Sequence, residues 1–218
     1  MLSNIKYLTV IAALVVGALV VVHNLNLEKR ITSLSEQVDI LNSMAQIDKV
    51  RVERMNKALA VLNRYNPAMP YNQKLAIANE ITDATFKFTN LDVDLICATI
   101  THESAFSWDP QVVSQAGAMG LMQVMPATGK FLADIEGVHW TSAGRVLFDP
   151  VLNIRLGSRY LSSLIELYDV DGGLAAYNGG NRRAQMWLAQ NKAKGVLYHE
   201  TQQYVPAVLS LYAEFRTN

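Results

Sequence analysis

The sequence predicts an all-α fold. Three observations carry this reading: apolar residues recur at helical spacing over most of the chain, alternating strand patterns are scarce, and no glycine or proline interrupts residues 27–66. The 218 residues are enough for one globular domain of ordinary size plus extra segments. Acidic and basic side chains balance at 19 each, and no basic run gives an electrostatic reason to expect a nucleic-acid partner. Cys97 is the single cysteine, so no intrachain disulfide can form, and no Cys/His cluster suggests a metal. It sits among Leu95, Ile96, Ala98 and Ile100 and reads as a small buried hydrophobe.

The first element is an apolar run, Tyr7 to Val22, without a charge. With Ile5 it makes about 18 residues, or about 27 Å of helix, close to a hydrocarbon core of roughly 30 Å. A cleaved signal peptide is the competing reading, but the run ends in Val20, Val21, Val22, His23, Asn24, which offers no small-x-small site. Residues 1–23 are therefore expected to anchor the chain in a membrane. Lys6 precedes the span and Glu28, Lys29 and Arg30 follow it, an asymmetry too weak to orient it.

The second element, residues 24–66, has a heptad rhythm. One seam position reads Leu27, Leu34, Leu41, Asp48, Met55, Leu62; the other reads Ile31, Val38, Ala45, Val52, Leu59. Such a period predicts a coiled-coil or stalk helix about 54 Å long, with a homo-oligomer as its natural partner. The alternative is a long amphipathic helix packed on its own domain. Asp48 in the seam costs stability unless paired and is a candidate for fixing register or oligomeric state.

The third element, residues 70–218, begins after the breakers Asn66, Pro67 and Pro70. Leu75, Ala78, Ile81, Ala84 and Phe88 form a helical stripe. Asp92 to Glu103 is apolar on most sides and predicts a buried helix. Asp149-Pro150 opens another with an acidic cap and proline at its first position. Asn181 to Gln190 and Glu200 to Phe215 are further helices. The best strand candidate, Gly137 to Trp140, is too short to build a sheet.

The chemistry concentrates at four places. His102-Glu103-Ser104 closes the apolar helix; a glutamate there is partly desolvated, which raises its pKa toward what protonation of a glycosidic oxygen requires. Alone, this pattern more often marks an ordinary surface glutamate, a structural histidine, and a serine that satisfies a helix end. Gly117 to Pro126 (GAMGLMQVMP) combines glycines, which let backbone approach a ligand, with Gln123, a donor and acceptor for a sugar amide or hydroxyl. Ala175 to Gly180 (AYNGG after Ala175) brings together Tyr177, Asn178 and two glycines; Glu200 to Val205 (ETQQYV) follows.

In this order, and with the segment FDPVLNIRLGSRYL between the second and third, the motifs resemble the soluble lytic transglycosylase (SLT) domain, glycoside hydrolase family 23, over roughly Asn72 to Phe215. The resemblance implies a lysozyme-like fold and assigns roles by position. Glu103 matches the catalytic acid/base and Ser114 a serine near the cleaved sugar. Gln123 and Met125 match residues lining the groove at the muramic acid. Tyr177 matches the tyrosine near the catalytic carboxyl, with Asn178 beside it. Glu200 and Tyr204 match the facing wall. Gly120 and Leu121 look structural. Two departures stand out. The spacing from Glu103 to Ser114 is longer than the family's by about Ser107-Trp108, which leaves Trp108 open between sugar stacking and core packing. Gly179 stands where the family has alanine.

Ordinary glycosidases use two carboxylates. The resemblance implies a one-carboxylate route on peptidoglycan glycan strands that ends in a 1,6-anhydromuramic acid, with no metal, nucleotide or organic cofactor. It also implies a catalytic domain on the extracytoplasmic, periplasmic side of the cytoplasmic membrane. A goose-type lysozyme-like hydrolase and an inactive glycan-binding module of a secretion or phage assembly are the rival expectations.

Overall fold

The computed structural model describes the backbone of residues 2–217 and the side chains of residues 7–217. Ile5, read above as the front of the apolar run, and Lys6, the charge before it, fall outside the described side chains. Among the described residues the chain is helical, in the order α1 (Leu2–Tyr65), α2 (Tyr71–Lys87), α3 (Val93–Glu103), α4 (Pro126–Glu136), α5 (Ala143–Leu147), α6 (Pro150–Gly179), α7 (Asn181–Ala189) and α8 (His199–Thr217). Extended pairing is limited to two isolated bridges, Val113 with Met119 and Met119 with Val124. At Gly137–Trp140 the chain leaves α4 instead of forming a strand: Gly137 is its left-handed cap, and the Trp140 ring packs near Gly129.

The chain divides into two compact units, Met1–Val50 and Arg51–Asn218. In the first, α1 exposes every apolar side chain from Tyr7 to Val22. The run is long and apolar enough to cross a membrane, and a signal sequence has the same character.

The second unit starts inside α1. Ala58 and Leu62 are fully buried there, with Met55, Leu59 and Tyr65 packed against the core. The end of the heptad seam thus faces its own domain, the alternative weighed for this helix, because the same apolar spacing serves either kind of neighbour. Buried Lys74 of α2 ties this end down, donating to the Asn63 side chain (2.8 Å) and the Pro67 carbonyl (3.0 Å).

Helix α3 is the core element, with Val93 and every residue from Leu95 to Thr101 buried. It starts where the Asp92 side chain accepts the Leu95 N–H at 2.8 Å. Cys97 lies wholly inside, and burial pushes its thiol pKa up, so it remains an inert apolar filler. Helix α6 opens as read, with the Asp149 side chain accepting the Val151 and Leu152 N–H groups and Pro150 in the first turn. It runs to Gly179 across a kink at Asp169 (φ 59°, ψ −177°). A two-pronged bond from Arg155 to buried Glu80 (2.8 and 2.6 Å) locks α6 to α2. Helix α8 packs on α3 and α6, and α7 on α6.

Candidate active site

Glu103 is the last residue of α3, half-buried where the helix leaves the core. The helix stops there because Ser104 turns away (φ −85°, ψ 13°) and Ala105, Phe106 and Trp108 all adopt left-handed backbone, with φ of 50°, 64° and 49°. Three such residues in a four-residue span are costly without glycine, so the surrounding structure must hold them. Trp108 does so. It is fully buried, donates its indole N–H to the Thr101 hydroxyl (2.9 Å), and donates its backbone N–H to the Ser104 hydroxyl (3.1 Å). The open question about Trp108 resolves toward core packing, since a ring with no exposed surface cannot stack on a sugar. Ser104 satisfies the chain at the helix end, its hydroxyl taking the Trp108 N–H.

Burial drives the Glu103 pKa up to about 7, and the negative charge of Glu200 pushes the same way. The Tyr204 hydroxyl opposes both by stabilising the carboxylate. That hydroxyl is buried, and apart from its approach to Glu103 it has no partner at full hydrogen-bond geometry among the described residues. His102 packs edge-on against the Tyr204 ring, with centroids 4.9 Å apart at 83°, and burial lowers its pKa. A neutral imidazole braces the tyrosine, so His102 is structural. Tyr177 also feels the Glu103 charge, and both tyrosines have pKa values raised chiefly by burial. Glu200 is exposed in the first turn of α8. Glu103, Tyr177, Glu200 and Tyr204 are therefore brought together, with Glu103 the desolvated acid among them.

The loop from Val112 to Met125 forms another side of the site. The Tyr177 hydroxyl donates to the Met122 carbonyl at 2.7 Å and joins the loop to the carboxyl group. Gln123 has φ of 46°, and its side-chain nitrogen donates to the carbonyls of Gly120 (2.8 Å) and Val112 (3.2 Å). The donor half of this amide is thereby spent on the loop. The Ser114 hydroxyl accepts the Ala118 N–H at 3.0 Å and keeps its own proton to donate. Met125 is exposed at the start of α4. In the α6–α8 corner the Thr201 hydroxyl donates to the Asn178 side-chain oxygen at 2.7 Å.

Two residues that position the site escaped the sequence reading. Asn153 of α6, fully buried, accepts the Met122 N–H (2.8 Å) and donates to the carbonyls of Met119 (2.8 Å) and Leu147 (2.9 Å). It sets the loop that carries Gln123. A Cβ on Gly120 would meet the Leu147 carbonyl at 2.3 Å and the Asn153 amide at 2.4 Å, so glycine is required there. The available signal was an asparagine in the apolar run VLNIRL, a polar group that must find partners once buried. The other is buried Thr201, whose place inside the last motif drew no notice.

A desolvated carboxyl at the end of a buried helix, beside the partly buried Tyr177 and the buried Tyr204, is a site able to hold and release a proton within an all-α domain. Residues 81–198 match the transglycosylase SLT domain, and the chain belongs to that family. It is 33% identical over 129 residues to the soluble lytic murein transglycosylase of Escherichia coli K12, covering 55% of this chain and 20% of that one. It is 42% identical over 105 residues to the transglycosylase of Enterobacteria phage PRD1 (48% and 35% covered), and 33% identical over 135 residues to membrane-bound lytic murein transglycosylase D of E. coli K12 (57% and 28%). Among solved structures it is similar to an inactive mutant of the lytic transglycosylase Slt from Pseudomonas aeruginosa, with TM-score 0.57 and 30% identity over 72% of this chain and 25% of that one. A second is the 70-kDa soluble lytic transglycosylase in complex with bulgecin A (TM-score 0.59, 28% identity, 72% and 25% covered). The chain spans about a fifth of the length of the first curated relatives it matches.

Proposed function

We propose that this chain is a lytic murein transglycosylase, anchored by its N-terminal helix in the cytoplasmic membrane and cutting the MurNAc–GlcNAc β-1,4 bond of peptidoglycan outside it. The observation that carries the reading is Glu103: a carboxyl group with a pKa raised to about 7, so that it holds a proton near neutral pH yet remains a usable base once that proton is given up. Glu200 is exposed and acts on Glu103 through its charge, which leaves one carboxyl to serve as acid and base in turn.

In the first step Glu103 protonates the oxygen linking muramic acid to glucosamine, and the bond breaks. The substrate's own N-acetyl oxygen meets the positive charge at the anomeric carbon. The Glu103 carboxylate, steadied by the Tyr204 hydroxyl, then removes the proton from the muramic C6 hydroxyl. That oxygen closes on C1, displaces the acetamido group, and leaves the 1,6-anhydro end with Glu103 reprotonated. No water is consumed. The Gln123 carbonyl, the Ser114 hydroxyl and the exposed Met125 supply the groove wall on one side, with Asn178 and Glu200 on the other.

The membrane reading rests on the fully exposed apolar run of α1 and on the membrane-bound transglycosylase D among the relatives. The apolar side chains from Tyr7 to Val22 are exposed, and so large an apolar surface calls for a lipid environment.

Product analysis on purified sacculi tests the chemistry. Wild type should release anhydro-ended muropeptides, lighter by one water than hydrolytic products, and Glu103→Gln should release none while still binding sacculi. Hydrolytic products would make it a lysozyme instead, and a wild type that binds without cutting would make it a binding module. A reporter fused after Asn218 that works only in the cytoplasm would overturn the topology.

A further inference from the structure

We infer that the exposed part of α1 between the apolar run and the second unit pairs with the same segment of a second copy, in parallel and in register, as a two-stranded coiled coil. The second unit begins at Arg51, so the seam that stays free covers the heptads before it. There Leu27, Ile31, Leu34, Val38 and Leu41 are 40–64% exposed, and Ala45 is exposed as well. Among the described residues, nothing within the first unit buries them.

The spacing identifies the two seam positions. Ile31 precedes Leu34 by three residues and Leu34 precedes Val38 by four, so Ile31, Val38 and Ala45 stand at position a and Leu27, Leu34 and Leu41 at position d. Branched Ile and Val at a with Leu at d is the combination that favours two parallel strands over three or four.

Charge and volume agree with that partner at the two irregular layers. Asp48 occupies a d position, and in a parallel pair a d side chain enters a hole that includes the following e residue of the opposite helix, here Lys49. Each Asp48 then meets a Lys49 of the other copy. Both side chains are exposed and without an ion pair among the described residues. Ala45 fills its layer poorly, and the g residue flanking that hole is Met44, a flexible side chain 58% exposed in the single copy. The flanking e and g positions in between, Ser35, Gln37 and Asn42, place no like charges against each other. A three-heptad pair is short for self-association from solution; two copies held in one membrane meet at high effective concentration, which the parallel orientation exploits.

The test uses the full chain in membranes of expressing cells and in detergent micelles. Single cysteines are introduced as Leu34→Cys, Leu41→Cys and Ser43→Cys; native Cys97 is buried and stays out of the reaction. Under mild oxidation both seam variants should form disulfide dimers, and Ser43→Cys, on the outer face, should not. An antiparallel pair centred on residue 41 would hold the two copies of residue 34 about 20 Å apart, so it could cross-link at one seam site only. Adding Leu41→Glu to Leu34→Cys should abolish the cross-link while sacculus cleavage persists, which separates a lost pair from a misfolded chain. Cross-linking at one seam site alone, equal cross-linking at Ser43→Cys, survival of the cross-link with Leu41→Glu, or a trimeric or tetrameric mass in micelles would overturn the proposal.

Discussion

Thr201 occupies the space that a side chain at position 179 would need. A Cβ built on Gly179 would lie 2.7 Å from the Thr201 hydroxyl oxygen and 3.0 Å from its methyl, and that hydroxyl is already committed to Asn178. The glycine that departs from the family's alanine is thus one half of a pair whose other half is the buried, β-branched Thr201. Gly179→Ala should cost about 1–3 kcal/mol through overpacking and displace Asn178. In a Thr201→Ala background the same change should be neutral or stabilising by up to about 1 kcal/mol, since alanine is the better helix former. Thermal unfolding of the four proteins of this cycle checks the coupling; additive effects would show that the two positions are independent.

How far the sequence could be read depended on whether a feature was local. Helix starts with a chemical marker, Asp92 for α3 and Asp149-Pro150 for α6, were legible to within a residue. Glu103 was legible only in company: the apolar helix before it suits a surface glutamate equally well, and the order of the motifs that follow singled it out. Helices α4 and α5 passed unread although Pro126 in the first turn of one and the Ser142 cap of the other mark their starts. The end of the heptad run was illegible in principle: Leu62 in a core and Leu34 in open solvent obey the same spacing, and only the tertiary neighbours differ. Trp108 escaped for a related reason. Its indole reaches Thr101, seven residues earlier, only because three left-handed residues fold the chain back, and no propensity foretells those. The roles of Asn153 and Thr201 required knowing which carbonyls and amides lie opposite.

The Asn153 amide is expected to be a structural keystone of the groove. Asn153→Leu preserves approximate volume but leaves the Met122 N–H and the Met119 and Leu147 carbonyls without it. The cost should be about 3 kcal/mol or more, since each buried polar group left unpaired costs roughly 1–3 kcal/mol. Because the same loop carries Gln123 and the carbonyl that receives the Tyr177 proton, turnover should fall on the order of tenfold to a hundredfold even at temperatures where the variant is folded. Denaturant melts and single-substrate kinetics would reveal the opposite result, a stable and fully active protein.

Glu103 should make the domain less stable as pH rises. Its folded pKa, about 7, lies above the ordinary 4.5, so the folded state holds a proton that the unfolded state releases between those values. Stability from the protonated carboxyl is complete below pH 4.5 and is lost as pH climbs to 7, by on the order of 3 kcal/mol. Glu103→Gln mimics the protonated form and does not titrate. Relative to wild type it should therefore gain on passing from pH 4 to pH 8, by roughly 6–12 °C in Tm. A Tm difference that stays constant across this range would show that the carboxyl is not desolvated.

The two neighbours of Glu103 should move the activity profile in opposite directions. Glu103 must be protonated to attack the glycosidic oxygen, so kcat/KM of wild type should decline above about pH 7. The Tyr204 hydroxyl favours the carboxylate; Tyr204→Phe removes that support and should carry the alkaline limb to higher pH. The Glu200 charge disfavours the carboxylate; Glu200→Gln should carry the limb to lower pH. The Tyr204 effect outweighs that of Glu200 on this carboxyl, so the first displacement should be the larger, and added salt should shrink mainly the second, because Glu200 is exposed to screening. Profiles measured on defined glycan fragments decide the matter. If both variants shift the limb the same way, the proton lost at that limb does not belong to Glu103, and the assignment of a single acid and base to this carboxyl fails with it.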